Sequence, residues 1–356
     1  MDKLIGILTS GGDTPGLNAA IRAVGKTLIH HGNYKLIGFL DGYRGMLENR
    51  FIELDDAALS GILTRGGTIL GSSRDKPHKM PIGGKVLDMT DVLVENYHSN
   101  HLSGLVCLGG GGTQKNSYRL AQAGLNVLTL PKTIDNDIVK TDVSFGYDTA
   151  MMIATEAVDR LHSTAHSHHR IIILETMGHK VGWIALGSGL AGGADVILLP
   201  EIQYDEKKIA DAILRRSRNG KKFSIIVIAE GAISKTMAKK IENEKDKDAK
   251  EKILKNRTVE LATELERLTR RETRVTILGY VQRGGTPTPY DRVLSTSLGS
   301  HCAQEIFKER WGNMMAIQNN RIVTVPLEEV AGPVKYIPQD HYLLDCARDL
   351  GISLGE

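Results

Sequence analysis

Short apolar runs, each followed by a turn and then by a longer amphipathic stretch, recur along this chain and leave few folds open to it. Leu4–Leu8 leads into Ser10-Gly11-Gly12-Asp13 and a helical pattern from Leu17 to about His31. Gly104–Leu108 leads into Gly109–Thr113 and a helical pattern to about Ala123, and Val127–Leu130 leads into Pro131–Asp137. Ile171–Leu174, Val196–Leu199, Ser224–Ala229 and Val275–Leu278 are further buried-strand candidates with helical patterns between them. Such alternation predicts an α/β protein with largely parallel sheets and crossover helices. At 356 residues the chain has enough length for two Rossmann-like, three-layer lobes. No linker separates them, so the lobes are expected to exchange chain segments. In parallel sheets ligands bind beyond the carboxyl ends of the strands, and the unusual residues of this sequence fall there.

Composition narrows the function. A formal charge of +3 gives no reason to expect nucleic acid or membrane as the main partner. Cys107, Cys302 and Cys346 are widely spaced and odd in number, which indicates neither a disulfide framework nor a zinc site. A strand-like run begins almost at once, with no basic segment and leader-type apolar stretch ahead of it, and no apolar run approaches membrane-spanning length. A cytoplasmic enzyme is the expectation. The Lys- and Glu-rich stretch 235–257 reads as a solvated helix or loop ahead of a helix over 259–268.

Four motifs carry chemistry. Ser10 to Gly16 reads either as an anion cradle ahead of a helix N-terminus or as a plain strand-to-helix turn. Gly109-Gly110-Gly111-Gly112-Thr113 is costly in backbone entropy, and a phosphate-bearing ligand is the reason expected for it. Neither loop is a G-x-G-x-x-G fingerprint, and Gly25-Lys26-Thr27 lacks the earlier glycine of a Walker A loop. Pro131-Lys132-Thr133-Ile134-Asp135-Asn136-Asp137 sets two carboxylates beside a hydroxyl and a lysine. One carboxylate can take the proton of an attacking hydroxyl while the other holds magnesium, although an Asx-rich turn has the same composition. Arg170, Arg274 and Arg283 stand at the edges of strand-like runs, where planar guanidinium forks suit phosphate oxygens. His162, His166, His168 and His169 lack a carboxylate partner at motif spacing and read as helix-end residues.

Together these stretches resemble the 6-phosphofructokinases of the bacterial type along nearly the whole chain. The resemblance rests on Leu8 to Asp13, Arg65-Gly66-Gly67-Thr68, Gly71-Ser72-Ser73-Arg74, Pro131 to Asp137, Glu175-Thr176-Met177-Gly178, Ala191-Gly192-Gly193-Ala194 and Leu278 to Gly285. Thr155 to His162 and Met177 to Trp183 are similar to the subgroup that mixes ATP and pyrophosphate users. The resemblance implies phosphorylation of fructose 6-phosphate, with ATP favoured over pyrophosphate and with Mg2+ as cofactor. It makes Asp135 the base, assisted by Thr133 and Lys132, and gives Asp137 to the metal. Gly12, Arg74, Asp75, Gly110, Gly111, Gly112 and Thr113 would cradle the donor. Thr133, Asp135, Met177, Gly178, His179, Glu230, Tyr280 and Arg283 would hold the sugar phosphate. Arg170 and Arg274 would reach it from a neighbouring subunit, which implies a homodimer or homotetramer. The implied donor lobe is 1–146 plus about 282–332, and the sugar lobe about 147–281 plus 333–356.

Three departures from the family pattern stand out. Gly111 stands where most relatives carry an aspartate that helps hold magnesium, and His179 and Tyr280 replace an arginine and a histidine. Arg22 and Lys222 match the family's basic effector cluster, whereas Lys26 and Asp56 stand at arginine positions. Gly112 leaves room for a nucleotide, while Lys132 is typical of pyrophosphate users. A reversible pyrophosphate-dependent phosphotransferase and a non-catalytic metabolite-binding regulatory subunit are the alternatives.

Overall fold

Runs that are apolar at every position need cover on both faces of a sheet, and helices supply it here. A computed structural model describes residues 3–356. The chain divides into two units, Met1–Thr149 with Arg283–Lys335, and Ala150–Gln282 with Tyr336–Glu356. The first opens with β1 (Lys3–Ser10), α1 (Leu17–His31), β2 (Tyr34–Phe39), α2 (Tyr43–Leu47) and β3 (Phe51–Glu53). A small ribbon of β4 (Met80–Ile82) and β5 (Lys85–Leu87) precedes α3 (Thr90–Ser99), β6 (Leu102–Gly109), α4 (Gly111–Gln122) and β7 (Val127–Pro131). Along α5 (Tyr147–His168) the chain passes into the second unit.

There it forms β8 (Ile171–Thr176), α6 (Trp183–Ala191), β9 (Val196–Leu198), α7 (Glu206–Arg218) and β10 (Ser224–Ala229). The Lys- and Glu-rich stretch folds as α8 (Lys235–Asn243) and α9 (Lys247–Lys255), capped by the side chains of Ser234 and Asp246. After α10 (Arg257–Thr269) come β11 (Thr273–Ile277) and a 3-10 turn over Gly279–Arg283. The first unit is completed by α11 (Pro289–Phe307), β12 (Asn313–Gln318), β13 (Arg321–Pro326) and α12 (Leu327–Val330), the second by α13 (Tyr342–Asp349).

The first unit's sheet has the order β13-β12-β7-β6-β1-β2-β3. Its five central strands run parallel, and antiparallel β13 and β3 close its edges. Alternate residues feed separate cores: Ile5, Ile7, Val106 and Leu108 pack with α1 and α11, while Leu8, Leu105 and Cys107 pack with Met46, Leu93 and Leu120. Each such side chain contributes about 1.5–3 kcal/mol on burial. From β1 the chain runs outward to β2, then returns to lay β6 on the other side of β1. That reversal puts the loops after β1 and β6 next to each other, at the position where open α/β sheets take ligands. The second unit has four parallel strands in the order β11-β8-β10-β9, with Ile171, Ile173, Ile226 and Ile228 in one core beneath α7 and α10.

Candidate active site

The turn after β1 is fixed by Gly11, whose φ of 87° lies in the left-handed region. Its amide donates to the Ser73 carbonyl at 2.8 Å, and Ser72 Oγ donates to the Gly11 carbonyl at 2.6 Å, so the segment carrying Arg74 is tied to the turn. Across from it α4 begins earlier than the glycine run suggests. Gly110 is the N-cap, its carbonyl accepts from the Thr113 and Gln114 amides, and Gly111, Gly112 and Thr113 form the first helical turn rather than a loop. The leading amides of a helix have no intrahelical acceptor and favour an anion. A Cβ at Gly109 would overlap the Thr113 side chain, whereas one at Gly111 or Gly112 would meet nothing within 4 Å. Packing therefore demands the first glycine, and the later ones keep space clear.

A cleft of about 270 Å³ opens between these turns. It is lined by Gly12, Arg74, Asp75, Gly110, Gly112 and Thr113 together with Lys132, Thr133, Asp135 and Arg283, so most of the expected donor and catalytic residues meet in one place. Gly111 does not line it. Lys132 is buried, and its Nζ donates to the Gly12 carbonyl. Burial first, and then the Arg283 charge, hold its ammonium down to about 8, against the opposing pull of Asp13, Asp135 and Asp137. Arg283 Nη1 donates to the Asp13 carbonyl at 3.1 Å, and a Cβ at Gly12 would overlap its guanidinium. Arg74 is exposed, while Asp75 accepts from Arg44 Nε at 2.7 Å.

The carboxylate loop is held from within and from behind. The Asp135 amide donates to Thr133 Oγ1 at 3.1 Å, and Ser144 Oγ donates to the Thr133 carbonyl at 2.8 Å. Asn136 adopts a left-handed φ of 55° between the two aspartates. Its Oδ1 accepts from the Ser144 amide at 3.1 Å and from Lys335 Nζ at 2.8 Å.

In the second unit Met177, Gly178 and His179 follow β8, Glu230 follows β10 and Tyr280 follows β11, all at the carboxyl ends of parallel strands. Gly178 has a φ of 136°, and its carbonyl accepts from the Gly231 amide at 3.0 Å, which ties two of these loops together. Arg170 and Arg274 lie at the other end of the same sheet. Arg170 Nε donates to Glu272 at 2.7 Å, and Arg274 Nη2 bonds the same carboxylate. With about 3.3 Å of rise per residue, six-residue β8 separates the two sets by roughly 16 Å or more.

Among the described residues, no group of three or more His, Cys, Asp or Glu side chains is placed to hold a metal. The histidines of α5 pack instead: His162 Nε2 lies 2.7 Å from the Gly192 carbonyl, and His166 meets the Phe223 ring edge-on. Asp135 and Asp137 offer hard oxygen donors from one loop. That donor set suits magnesium, which is commonly bound through one or two carboxylates plus substrate phosphates rather than a protein cage. A larger cavity of about 470 Å³ lies among α7, α8 and α10, where cations and carboxylates alternate and none of the expected site residues is present. Arg44, which holds Asp75, and Lys335, behind the loop, do not stand out in the sequence. Neither carries a motif, and only the fold brings them to their partners. No helix among the described residues is long and apolar enough to cross a membrane.

This two-unit α/β fold, with a glycine-rich cleft that Asp135 lines and Asp137 does not, has clear relatives. Residues 4–306 match the Phosphofructokinase family, and the chain belongs to it. It is 54% identical over 373 residues to an ATP-dependent 6-phosphofructokinase of Propionibacterium freudenreichii, with all of both chains covered. It is 49% identical over 358 residues to an ATP-dependent 6-phosphofructokinase of Spirochaeta thermophila, covering 99% of this chain and 98% of that one. Among solved structures, phosphofructokinase of Pichia pastoris in the T-state superposes with a TM-score of 0.79 at 29% identity, over 99% of this chain and 37% of that one. A pyrophosphate-dependent phosphofructokinase of Marinobacter aquaeolei shares the fold with a TM-score of 0.82 at 22% identity, over 99% and 92%.

Proposed function

We propose that this protein phosphorylates D-fructose 6-phosphate to fructose 1,6-bisphosphate in glycolysis, with ATP as donor. The carrying observation is that Asp135 and Lys132 line the same cleft as the open first turn of α4. Asp135 accepts the proton of the sugar 1-hydroxyl while that oxygen bonds to the γ-phosphorus and the bond to the departing ADP oxygen breaks. Gly12, Arg74, Asp75 and the Gly110–Thr113 turn position the donor, and Lys132 and Thr133 steady the transferred group. Asp137, with the donor phosphates, would hold magnesium, which when bound neutralises charge on the phosphates. Met177, Gly178, His179, Glu230, Tyr280 and Arg283 are assigned to the sugar phosphate, with Arg170 and Arg274 contributed by a second copy in a homodimer or homotetramer. The first unit is then the donor lobe and the second the sugar lobe, in a cytoplasmic enzyme.

Pyrophosphate is the second donor reading, and Lys132 is the observation favouring it. A place in a subgroup mixing the two donors rests on the Thr155–His162 and Met177–Trp183 stretches alone, while the curated relatives reported above are named ATP-dependent. A non-catalytic regulatory role is opposed by the retained Asp135, Asp137, Arg170 and Arg283. Asp135→Asn is expected to lower kcat by about 10²–10⁴-fold, the usual range for a general base. Fructose 6-phosphate binding, measured by calorimetry on the same variant, should stay within a few-fold. Near-normal turnover would remove Asp135 from its role.

A further inference from the structure

Between the two aspartates the chain makes a turn that an unsupported residue would not keep. Asn136 sits at a φ of 55°, a region that asparagine tolerates better than most residues but still visits only with local support. The direction in which Asp135 and Asp137 leave the loop depends on that turn. One support is local, the Ser144 amide on Asn136 Oδ1. The other comes from 199 residues away. Lys335 Nζ donates to Asn136 Oδ1 at 2.8 Å, to the Thr141 carbonyl at 3.0 Å and to the Asp142 carbonyl at 2.9 Å. An ammonium has three N–H donors, and three acceptors of the segment 136–142 converge on this one. The Lys335 amide also donates to the Asp137 carbonyl at 2.9 Å, so main chain and side chain of one residue grip the loop at two points.

Simple core filling does not require this arrangement. A hydrocarbon would fill the volume without the desolvation cost of an ammonium. What the charge adds is convergence: three acceptors from a loop with no regular structure are drawn to one point. From this geometry we infer that Lys335 is a positioning residue for phosphoryl transfer, holding the Asn136 turn and through it the angle between Asp135 and Asp137. It does not line the donor cleft, and the inference rests on the assignment of Asp135 as base.

Lys335→Met keeps most of the length and removes all three donors. A misplacement of the order of 1 Å at a reacting group can cost about 100-fold, so kcat is expected to fall by about 10–100-fold. Binding of ATP without magnesium, measured by calorimetry, should stay within about threefold, because the α4 turn and Arg74 are untouched; for comparison, tenfold in affinity corresponds to about 1.4 kcal/mol. Asn136→Gly, which keeps the left-handed turn but loses the acceptor, should lower kcat in a way that is not additive with Lys335→Met, because the two act as one unit. If Lys335→Met is recovered only as aggregate, Lys335→Gln and Asn136→Gly form the same cycle. A full kcat with only a lowered melting temperature, or strictly additive effects, would overturn the inference. A crippled Asp135→Asn beside a full-rate Lys335 variant overturns this inference alone. A full-rate Asp135→Asn overturns the base assignment and this inference with it.

Discussion

Lys132 sits buried against the Gly12 carbonyl with Arg283 nearby, and its charge is sensitive to pH. Burial and the neighbouring guanidinium lower its pKa to about 8, so the unliganded protein holds the cation below pH 8 and loses it above. In the unfolded chain the same lysine titrates near its ordinary, higher value. Its burial therefore weighs against folding below pH 8, and that penalty fades as pH rises from 8 toward the unfolded value. Binding has the opposite sign. An anionic donor favours the cation, so ATP affinity should fall as pH rises through 8, with proton uptake on binding above it. Calorimetry in buffers of different ionisation enthalpy reads that uptake directly. Lys132→Met should flatten the profile, and a flat profile in the unmodified protein would contradict the role. The sequence pointed to Lys132 and Asp135 because they stand in one short motif. It did not point to Arg44 or Lys335, because pairing with Asp75 or Asn136 depends on chain crossings that no local pattern records.

At the scale of elements, strands were the legible part. β1, β6, β7, β8 and β10 are buried on both faces, so their sequences are nearly unbroken apolar runs. The start of α4 was less legible. Glycine is a poor helix former, so a glycine run reads as loop, whereas the Gly110 carbonyl in fact accepts the first two helical bonds. This start gives a test with two readouts. Aspartate in the first turn of a helix is favourable to the helix dipole, so Gly112→Asp should leave the melting temperature unchanged or slightly higher. The same carboxylate would project into the open space beside the cleft and repel donor phosphates. Between unit charges 4 Å apart the repulsion runs from about 1 kcal/mol in water to about 4 kcal/mol at an effective dielectric of 20. For this exposed position the lower half of that range applies, so kcat/KM for ATP should fall by about tenfold. An unchanged kcat/KM would place the nucleotide elsewhere.

Over the whole molecule, the residues proposed to hold the sugar phosphate are divided between opposite ends of the second unit's sheet. Met177, Gly178, Glu230 and Tyr280 follow strand ends, whereas Arg170 and Arg274 meet at Glu272 near strand beginnings. Sequence shows that these residues exist but not that β8 and β11 hold them a strand length apart. One copy of the unit cannot bring both sets to one phosphate, which is the physical reason for proposing an oligomer. The β11 edge and the turn after it leave Ile277 and Val281 exposed at 58% and 66%, beside Tyr280 at 74%. Dilution to monomers, followed by light scattering, should abolish activity while circular dichroism stays that of a folded chain. Fully active monomers would contradict the shared site.

The donor is the central claim, and a single comparison addresses it. The unmodified protein is assayed for fructose 1,6-bisphosphate formation with ATP and with pyrophosphate, side by side, at matched free magnesium. A Cβ at Gly112 would meet nothing within 4 Å, which leaves room along the proposed path of a nucleotide, so kcat/KM is expected to be higher with ATP. A higher kcat/KM with pyrophosphate would contradict the assignment and hand the decisive role to Lys132.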